Sequence, residues 1–573
     1  MTNMTKTITL PTVPREFGLY IHGKWVAPQG RNLFERRSPA HGVPVTRTIV
    51  GTESDLNTAV ASARTAFEER RWAGLTGQQR AEVLLKAASL IRERAEELAT
   101  LETFETGKPI SQSRGEVLAS AGIYDYAAGA ARMLHGDTFN NLGDEMFGLV
   151  TREPIGVVGL ITPWNFPFFI LAERLPFILA SGCSVVAKPS DLTSATTLIM
   201  AEILTKAGLP DGVFNVVTGS GSTVGEALSH HPDIDMLSFT GSTAIGKRVL
   251  AASAGNFKKL SLELGGKNPH LIFADAHLED AVDGVIFGFC FNAGQCCVGG
   301  SRLLVEKSIL PKFEQLLTQK LSRLRVGDPL NAQTQVGAIV NEKQHQIIHD
   351  YIERGLKQKA RIVTQGTISA SAEGLFVQPT VFSDVTSDMD IATDEIFGPV
   401  LAILPFETME DAIHIANDTI YGLSATIWTQ NLSTAMRAVR SIRAGRVWVN
   451  TTISGGPEMP SGGFKQSGIG RETGLYGVEE YTEIKSTHII HPHFACAIGV
   501  VGCTTIFTRV LNQLFTCFDR TFRKMCPFDM LLHTRLSHDF TADMKPINST
   551  SHIFWFCQKI WINQHGFFRT GTT

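Results

Sequence analysis

The sequence has few cysteines, little net charge and no apolar run of signal-peptide length at its start. Nine cysteines in 573 residues are too few for a disulfide-dense secreted scaffold, and a reactive thiol needs a reducing compartment. A net charge of −3 gives no indication of nucleic acid or an anionic membrane as a partner. The segment Met1–Pro11 lacks the apolar core of a signal peptide. These absences predict a cytoplasmic protein with neither nucleic acid nor a membrane as its partner.

The composition is that of a globular protein with more than one hydrophobic core. Hydrophobic residues make up 43% of the chain and charged residues 19%, and the mean hydropathy is +0.05. A chain of 573 residues exceeds the length at which a single core stops growing, so about two to four domains are expected. No internal repeat is apparent.

Short apolar runs alternate with helical segments from Pro154 onward. Near-continuous apolar strands separated by helices form parallel sheets that are covered on both faces, so the pattern predicts an α/β fold. A first block has apolar runs at 155–161, 184–187, 213–217 and 236–239, with helices expected near 167–181, 193–207, 222–229 and 243–254. A second block begins at Pro269–Phe273 and continues to Trp448–Asn450. Such sheets bind ligands at the carboxyl ends of their strands.

Two adjacent thiols, Cys296 and Cys297, lie between glycines in the segment Phe291–Arg302. Neighbouring cysteines cannot close an easy disulfide and lack the two-residue spacing of a zinc site, so the chemistry left to them is that of a thiolate nucleophile. For one isolated cysteine, a buried and inert side chain would be the better interpretation. Glu263 favours the nucleophile over the inert cysteine, because it lies between two leucines just ahead of a Gly-Gly turn. An isolated carboxyl in apolar company should have a raised pKa and serve as a general base.

Two glycine-rich stretches are candidates for holding a phosphate group. Gly219–Gly225 is a poor copy of the dinucleotide fingerprint, because its last glycine is displaced by one position. Phe239–Gly246 is better placed, since it follows an apolar strand and opens a helix whose free N–H groups can face a pyrophosphate. It also nearly matches a Walker loop with Lys247, but Arg248 stands where Ser or Thr would bind magnesium. The pattern therefore favours a dinucleotide over ATP.

Together with Pro163–Pro167, which reads Pro-Trp-Asn-Phe-Pro, these stretches resemble the aldehyde dehydrogenase superfamily, whose members oxidise aldehydes to acids with NAD(P)+. Gly294-Gln295-x-Cys297 matches the nucleophile motif of that family, and Leu262–Gly266 matches its glutamate motif. The resemblance runs from about Tyr20 to about His491. It implies an α/β fold with two Rossmann-type parallel-sheet domains and a small oligomerisation β arm. It also implies NAD as the cofactor, an aldehyde as the small-molecule substrate, and a homodimer or homotetramer.

The resemblance also implies a division of the chain into domains. The NAD-binding domain comprises 15–131 and 152–265, the catalytic domain 266–465, and the oligomerisation arm 132–151 and 478–493. Residues 494–573 fall outside the resemblance, hold five of the nine cysteines and lack the strand–helix alternation. The longest apolar-leaning run in this tail, Phe494–Phe507, is fourteen residues, against about 20 needed to cross a bilayer. We therefore expect the tail to be a poorly ordered and dispensable appendage.

For catalysis, the resemblance implies that Cys297 is the nucleophile and Cys296 its neighbour. The thiolate adds to the aldehyde carbonyl, and the oxygen of the thiohemiacetal accepts hydrogen bonds from the Asn165 amide and the Cys297 N–H. Hydride transfer to the nicotinamide leaves a thioester, which is hydrolysed by water that Glu263 activates. Relatives that pass the acyl group to coenzyme A lack this carboxylate, so Glu263 favours a free acid as the product.

For the cofactor, the resemblance implies contacts from Trp164, Lys188, Asp191, Ser242, Glu395 and Phe397. Lys188 would hydrogen-bond the adenosine ribose, and Ser242 would lie against the pyrophosphate. Glu395 and Phe397 match the residues that hold the nicotinamide ribose and ring. Asp191 stands where many NAD-using members carry Glu, and its carboxylate would repel a 2′-phosphate, which favours NAD over NADP.

Two other functions remain open at this point. A thiol hydrolase or esterase would pair Cys297 with one of the seventeen histidines, although no Cys/His protease motif surrounds the thiol. A catalytically inactive structural relative would keep the fold alone. Reduction of NAD by a panel of aldehydes separates these interpretations.

A metal site and the substrate tunnel are the last two questions that the sequence raises. One group of residues resembles a metal cluster by count only: His488, His491, His493 and Cys496. Because it follows no fixed motif, we predict no metal. Glu173 lies in the helix expected after Asn165, and two placements are open for it. It either faces the substrate tunnel, favouring cationic aldehydes such as aminoaldehydes or betaine aldehyde, or forms a salt bridge with Arg174 or another basic residue.

Overall fold

The computed structural model describes residues 8–369 and 373–490. A larger compact unit comprises the residues up to Phe139 together with Gly148–His488, and a smaller one includes Asn140–Phe147. Within the two described ranges, no helix is long and apolar enough to cross a membrane, and no three His, Cys, Asp or Glu side chains come together as they would around a metal ion. The tail expected at 494–573 lies outside the described residues, as do three of the four residues in the His/Cys group.

An eight-stranded sheet lies at the centre of the first α/β block. Its strands, in spatial order, are Gly468–Ile469, Lys259–Glu263, Met236–Thr240, Val157–Ile161, Ser184–Lys188, Phe214–Val216, Leu19–Ile21 and Lys24–Val26. The five strands from Lys259–Glu263 to Phe214–Val216 run parallel, and the strands at both edges are antiparallel. The helices of this block are Glu53–Glu68, Pro167–Ala172, Leu175–Ser181, Ala195–Ala207, Glu226–His230 and Thr243–Ser253.

A seven-stranded sheet organises the second block. Its strands are, in spatial order, Arg361–Gln365, Thr380–Ser383, Val400–Phe406, Gly300–Glu306, Asn268–Ile272, Ser424–Trp428 and Arg446–Val449. All neighbours are parallel except the edge strand Arg361–Gln365. The helices of this block are Leu278–Cys290, Leu310–Leu321, Glu342–Lys357, Asp390–Thr393, Met409–Asn417 and Leu432–Ser441. The predicted α/β fold with parallel-sheet domains is confirmed.

The remaining elements are helices and two small sheets. The helices are Gly77–Glu93, Ala95–Thr106, Ile110–Met133 and Gly474–Glu480. One three-stranded sheet has the order Arg15–Phe17, Pro44–Ile49, Leu33–Arg37, and the other has the order Thr482–Ile490, Met146–Pro154, Asp137–Phe139. Single turns of 3₁₀ or π helix occur at Asp191–Thr193, Gly221–Gly225, Phe291–Gly294, Lys307–Ile309 and Lys465–Ser467.

The helix expected near 167–181 is in fact two helices, which break at Glu173 and Arg174. A continuous helix would need an N–H on Pro176 to donate to the Ala172 carbonyl, and proline has none. Arg174 accordingly leaves the helical region, with φ −125° and ψ −57°. Glu173 and Arg174 therefore lie between the two helices.

The parallel strands of the first block end at one edge, and most of the predicted site residues lie there. Ser184–Lys188 ends in Lys188 and Lys259–Glu263 ends in Glu263, while Ser242 follows Met236–Thr240 by two residues. Because the carboxyl ends of parallel strands meet at the same side of a sheet, the fold places these side chains on one edge.

Candidate active site

The loop that carries the thiols begins with three consecutive residues in the left-handed region. After the helix Leu278–Cys290, Asn292, Ala293 and Gly294 have φ values of 48°, 54° and 75°. At Gly294 a side chain is also excluded by space, because a Cβ would lie 2.2 Å from the carbonyl carbon of Gly398. The chain therefore reverses sharply and presents both thiols between this helix and the strand that follows.

The two thiols have different surroundings. Cys296 is buried in an apolar cluster with Phe166 and Ile170, and burial raises the pKa of its thiol to about 12. Cys297 is half-buried. Burial also raises the pKa of the Cys297 thiol well above its usual value, and the neighbouring Cys296 and Glu263 add to this effect. Cys297 is thus the more accessible thiol, and it requires a base to become a thiolate.

Glu263 is a buried carboxyl at the end of its strand. Glu263 is 8% exposed. Burial raises the pKa of its carboxyl to about 7, and the positive charge of Arg174 opposes that rise. A carboxyl with this pKa is partly ionised near neutral pH and can both accept and return a proton.

Glu173 forms the salt bridge with Arg174 that was one of its two alternatives. The Arg174 Nη1 lies 3.4 Å from Glu173 Oε2, and its Nε lies 3.9 Å from Glu472 Oε1. Glu472 is itself buried and accepts hydrogen bonds from Ser261 Oγ at 2.5 Å and from the Tyr481 hydroxyl at 2.8 Å. The buried Arg174 guanidinium thus offsets the negative charges of Glu173 and Glu472, on the side of the site where Glu263 lies.

Asn165 is joined to the thiol loop by hydrogen bonds in both directions. Its Nδ2 donates to the Gln295 carbonyl at 3.0 Å, and its own carbonyl accepts from Asn292 Nδ2 at 2.8 Å. An asparagine amide has two N–H hydrogens, so one remains for a further acceptor. These two hydrogen bonds therefore hold the Pro-Trp-Asn-Phe-Pro turn against the nucleophile motif.

The glutamate motif is packed directly on the nucleophile. Asn268 Nδ2 donates to the Cys297 carbonyl at 2.7 Å and to the Gly299 carbonyl at 2.9 Å. A Cβ on Gly266 would lie 2.7 Å from the Cys297 carbonyl oxygen, so only glycine allows this approach. Two stretches that are about thirty residues apart in sequence therefore meet at Cys297.

At the carboxyl edge of the first sheet, Lys188 and Asp191 lie together. Lys188 Nζ donates to the Pro189 carbonyl at 2.9 Å and is 3.6 Å from Asp191 Oδ1. Burial lowers the pKa of Lys188, and the Asp191 carboxylate opposes that change. The two side chains present a cation and a carboxylate at the end of one strand.

The same edge has hydrogen-bond donors that suit a phosphate group. Ser242 is the N-cap of the helix Thr243–Ser253, and its Oγ accepts from the Ile245 N–H at 3.4 Å. The hydroxyls of Thr162 and Thr240 are buried and have no hydrogen-bond partner in the described part of the chain. Unpaired hydroxyls beside a helix N-terminus fit a dinucleotide phosphate at this edge.

Glu395, from the second block, contacts the glutamate motif, and Phe397 contacts Trp164, which follows the first-block strand Val157–Ile161. Glu395 Oε1 accepts from the Gly266 N–H at 3.0 Å, and burial raises the pKa of Glu395 to about 7. Phe397 has φ 57°, and its ring meets that of Trp164 edge-on, with centroids 5.3 Å apart. Glu395 and the Cys297 carbonyl thus both lie against the Gly265-Gly266 turn.

Comparison with known proteins gives the family. The sequence model described as "Aldehyde dehydrogenase family" matches residues 25–487, which is most of the chain. The chain belongs to the aldehyde dehydrogenase family. An aldehyde dehydrogenase of Aspergillus niger is 42% identical over 492 residues, covering 85% of this chain and 98% of that relative.

Solved structures of aldehyde dehydrogenases have the same fold. The crystal structure of an NAD-dependent aldehyde dehydrogenase from Sinorhizobium meliloti has a TM-score of 0.81 at 46% identity, covering 83% of this chain and 95% of that one. The NAD+ complex of an aldehyde dehydrogenase from Bacillus cereus has a TM-score of 0.81 at 39% identity, covering 83% and 97%. The predicted family and enzyme class, an oxidoreductase acting on aldehydes, are confirmed.

The structure of this aldehyde dehydrogenase also identifies site residues that the sequence analysis missed. Asn268 lies within two residues of the glutamate motif and contacts Cys297, so its position in the sequence was a usable signal. Lys267 is 1% exposed, has an Nζ without a hydrogen-bond partner in the described residues and has its pKa lowered to about 7 by burial. Glu472 gave no such signal, because its partner Arg174 is far away in the sequence.

Proposed function

We propose that this aldehyde dehydrogenase oxidises an aldehyde to the free carboxylic acid with NAD+, using Cys297 as nucleophile, Glu263 as general base and Asn165 as oxyanion donor. The observation that carries the proposal is the packing of the glutamate motif on the nucleophile loop. Asn268 holds the Cys297 carbonyl at 2.7 Å, and the accessible thiol lies in the electrostatic field of the Glu263 carboxyl.

NAD+ fits the carboxyl edge of the first sheet and the groups that face it from the second block. The residues that would hold it are Lys188, Asp191, Ser242, Glu395, Phe397 and Trp164. Support comes from the unpaired hydroxyls beside the Ser242 cap and from the NAD+ complex of the relative from Bacillus cereus. When bound, NAD+ supplies the acceptor for the hydride that leaves the substrate carbon. The Asp191 carboxylate disfavours the 2′-phosphate of NADP+.

In the first half-reaction the Cys297 thiol, which its raised pKa leaves protonated at rest, loses its proton with assistance from Glu263, and this proton passes to solvent before the second half-reaction. The thiolate attacks the aldehyde carbon, a C–S bond forms, and the carbonyl electron pair moves to oxygen. The resulting oxyanion accepts hydrogen bonds from Asn165 Nδ2 and the Cys297 N–H, which stabilise charge that the ground state lacks.

When the oxyanion re-forms the C=O bond, the C–H bond breaks and hydride leaves the substrate carbon, so that in the second half-reaction the acyl group is a thioester on Cys297. Glu263 accepts a proton from water as the water oxygen attacks the acyl carbon, the C–S bond breaks, and the acid leaves. Burial holds the pKa of Glu263 at about 7, which makes the carboxylate a stronger base than an exposed glutamate. A base at this position supports hydrolysis rather than transfer of the acyl group to another thiol.

The test is a set of initial-rate assays of NADH formation with aldehydes that differ in charge and length. Reduction of NAD+ by at least one aldehyde, with the matching acid as product, is expected. Ester hydrolysis without any NADH formation would favour the thiol hydrolase instead.

The choice of substrate depends on the charge that Glu173 presents. Its side chain is 16% exposed and paired with Arg174, so the net effect on a cationic aldehyde is smaller than that of a free carboxylate. Steady-state kinetics with cationic and anionic aldehydes of equal length measure this directly. A preference for the cationic member would show that Glu173 faces the tunnel.

We also propose that the enzyme is a cytoplasmic homodimer or homotetramer with the domain division given above. The membership of the strands in the two large sheets supports the division at about residue 266. The strand Thr482–Ile490 is exposed over nearly its whole length, and Ile484 is 62% exposed. Because an exposed strand edge with apolar side chains favours pairing with another chain, it supports assembly. The required thiolate supports a reducing compartment.

A further inference from the structure

Gln295, which precedes the two thiols, has both ends of its side chain engaged. It is 1% exposed. Its Oε1 accepts from the Val340 N–H at 2.9 Å, and its Nε2 donates to the Asn292 carbonyl at 3.0 Å and to the Ala338 carbonyl at 3.5 Å. Because a buried amide loses hydrogen bonds when it rotates, this side chain is held in one orientation.

The main chain of Gln295 is the acceptor for the Asn165 side chain. Its carbonyl accepts from Asn165 Nδ2 at 3.0 Å and from Asn292 Nδ2 at 3.3 Å. The Asn165 amide is planar and has two N–H hydrogens, so the first bond sets the direction of the second N–H. That direction depends on the position of the Gln295 carbonyl oxygen.

The segment that holds the Gln295 side chain is itself anchored outside the site. The Val340 carbonyl accepts from Arg36 Nη2 at 2.6 Å, and the Ala338 N–H donates to the Gly107 carbonyl at 2.9 Å. The loop on the other side contains Ala293 in the left-handed region, with φ 54°, a conformation that a residue with a Cβ and no local polar group keeps only where the surroundings impose it. Gln295 therefore connects a fixed segment to a loop that needs support.

We propose that Gln295 is a positioning residue for the oxyanion. Its side chain, held by Val340 and Asn292, fixes the carbonyl that orients the Asn165 amide. It acts through Asn165 and contacts no reacting atom. The inference rests on the role of Asn165 in the proposed function.

The first test is Gln295→Met, which keeps a similar volume and removes both hydrogen-bonding groups. The rate constant of the NADH burst at saturating aldehyde should fall about tenfold to a hundredfold, which is less than the loss of about 10²–10³ that follows removal of an oxyanion donor itself. The Kd of NAD+ should not change. The control is Gln365→Met, which loses one hydrogen bond to Thr380 Oγ1 on the outer edge of the second sheet and should keep the wild-type burst.

The second test separates positioning from a general structural effect. In the Asn165→Ala background, Gln295→Met should slow the burst by less than about twofold, because contacts that act through one group are not additive. Additive losses, or a wild-type burst in Gln295→Met, would overturn the inference. A wild-type burst in Asn165→Ala alone would instead reject the oxyanion role in the proposed function.

Gln295→Glu keeps the experiment decisive if Gln295→Met does not fold. Glutamate keeps the shape and the acceptor for the Val340 N–H but lacks the donor to the Asn292 carbonyl. The same slowed burst is expected from this variant, with the same lack of additivity in the Asn165→Ala background. A burst at the wild-type rate would overturn the inference.

Discussion

Replacing Glu263 by glutamine should stop the enzyme after the first half-reaction. The amide has nearly the same shape and cannot accept a proton from water, so the thioester on Cys297 would persist. Loss of a general base typically slows a step by about 10²–10⁴-fold. We therefore expect a measurable burst of NADH in Glu263→Gln, followed by steady-state turnover reduced by at least about 10².

The pKa of Glu263 adds a pH dependence whose direction follows from its burial. Raising that pKa from 4.5 to about 7 corresponds to roughly 3 kcal/mol against the charged carboxylate. The base is the ionised form, so hydrolysis should increase as pH rises through about 7 and then level off. At pH 6 only about a tenth of the carboxyl groups are ionised, and the rate of hydrolysis should be about tenfold below its plateau. The Glu263→Gln variant should lose this limb of the pH profile.

Stopped-flow measurement of NADH and mass spectrometry of the quenched enzyme together test this reasoning. The variant should accumulate an acyl adduct on the peptide that contains Cys297. The matched control is Glu480→Gln, a carboxyl whose pKa is also raised by burial and which has no assigned role. Normal steady-state turnover in Glu263→Gln, or loss of turnover without an acyl adduct, would refute its role as the base for hydrolysis.

Four further variants test the nucleophile, the cofactor preference and the tail. Cys297→Ala should abolish both aldehyde oxidation and any esterase activity, whereas Cys296→Ala should keep substantial turnover; comparable losses would show that the thiols are wrongly assigned. Asp191→Ser should improve the use of NADP+ relative to NAD+ because it removes a like charge, and an unchanged ratio of kcat/KM values would mean that Asp191 does not face the ribose. A chain truncated after His493 should keep NADH production and its subunit number by light scattering; loss of either would show that residues 494–573 are needed.

Local pattern was sufficient to predict the fold class and to propose the site residues. Apolar runs separated by helices predicted two parallel sheets, because burial on both faces of a strand leaves a signature in a few consecutive residues. The short motifs around Cys297, Glu263 and Asn165 predicted the catalytic groups through their resemblance to a family. These features depend on neighbours in sequence, so they can be recognised without coordinates.

The helix after Asn165 shows where local pattern was insufficient. Its apolar periodicity favoured one helix over 167–181, but Pro176 removes a donor and the chain breaks at Glu173 and Arg174. The sequence left two placements open for Glu173. The packed structure shows the salt bridge of Glu173 with Arg174, which also approaches Glu472, about three hundred residues further along the chain.

The same limit applies to the support of the nucleophile. Gln295 is held by Val340 and orients Asn165, at separations of 45 and 130 residues. Nothing within a motif specifies which distant N–H or carbonyl forms the hydrogen bonds of a buried side-chain amide. The residue types proposed to perform the chemistry were thus identified from the sequence alone. Their orientation was decided by tertiary structure, since a buried polar group must find its partner wherever the packed chain provides one.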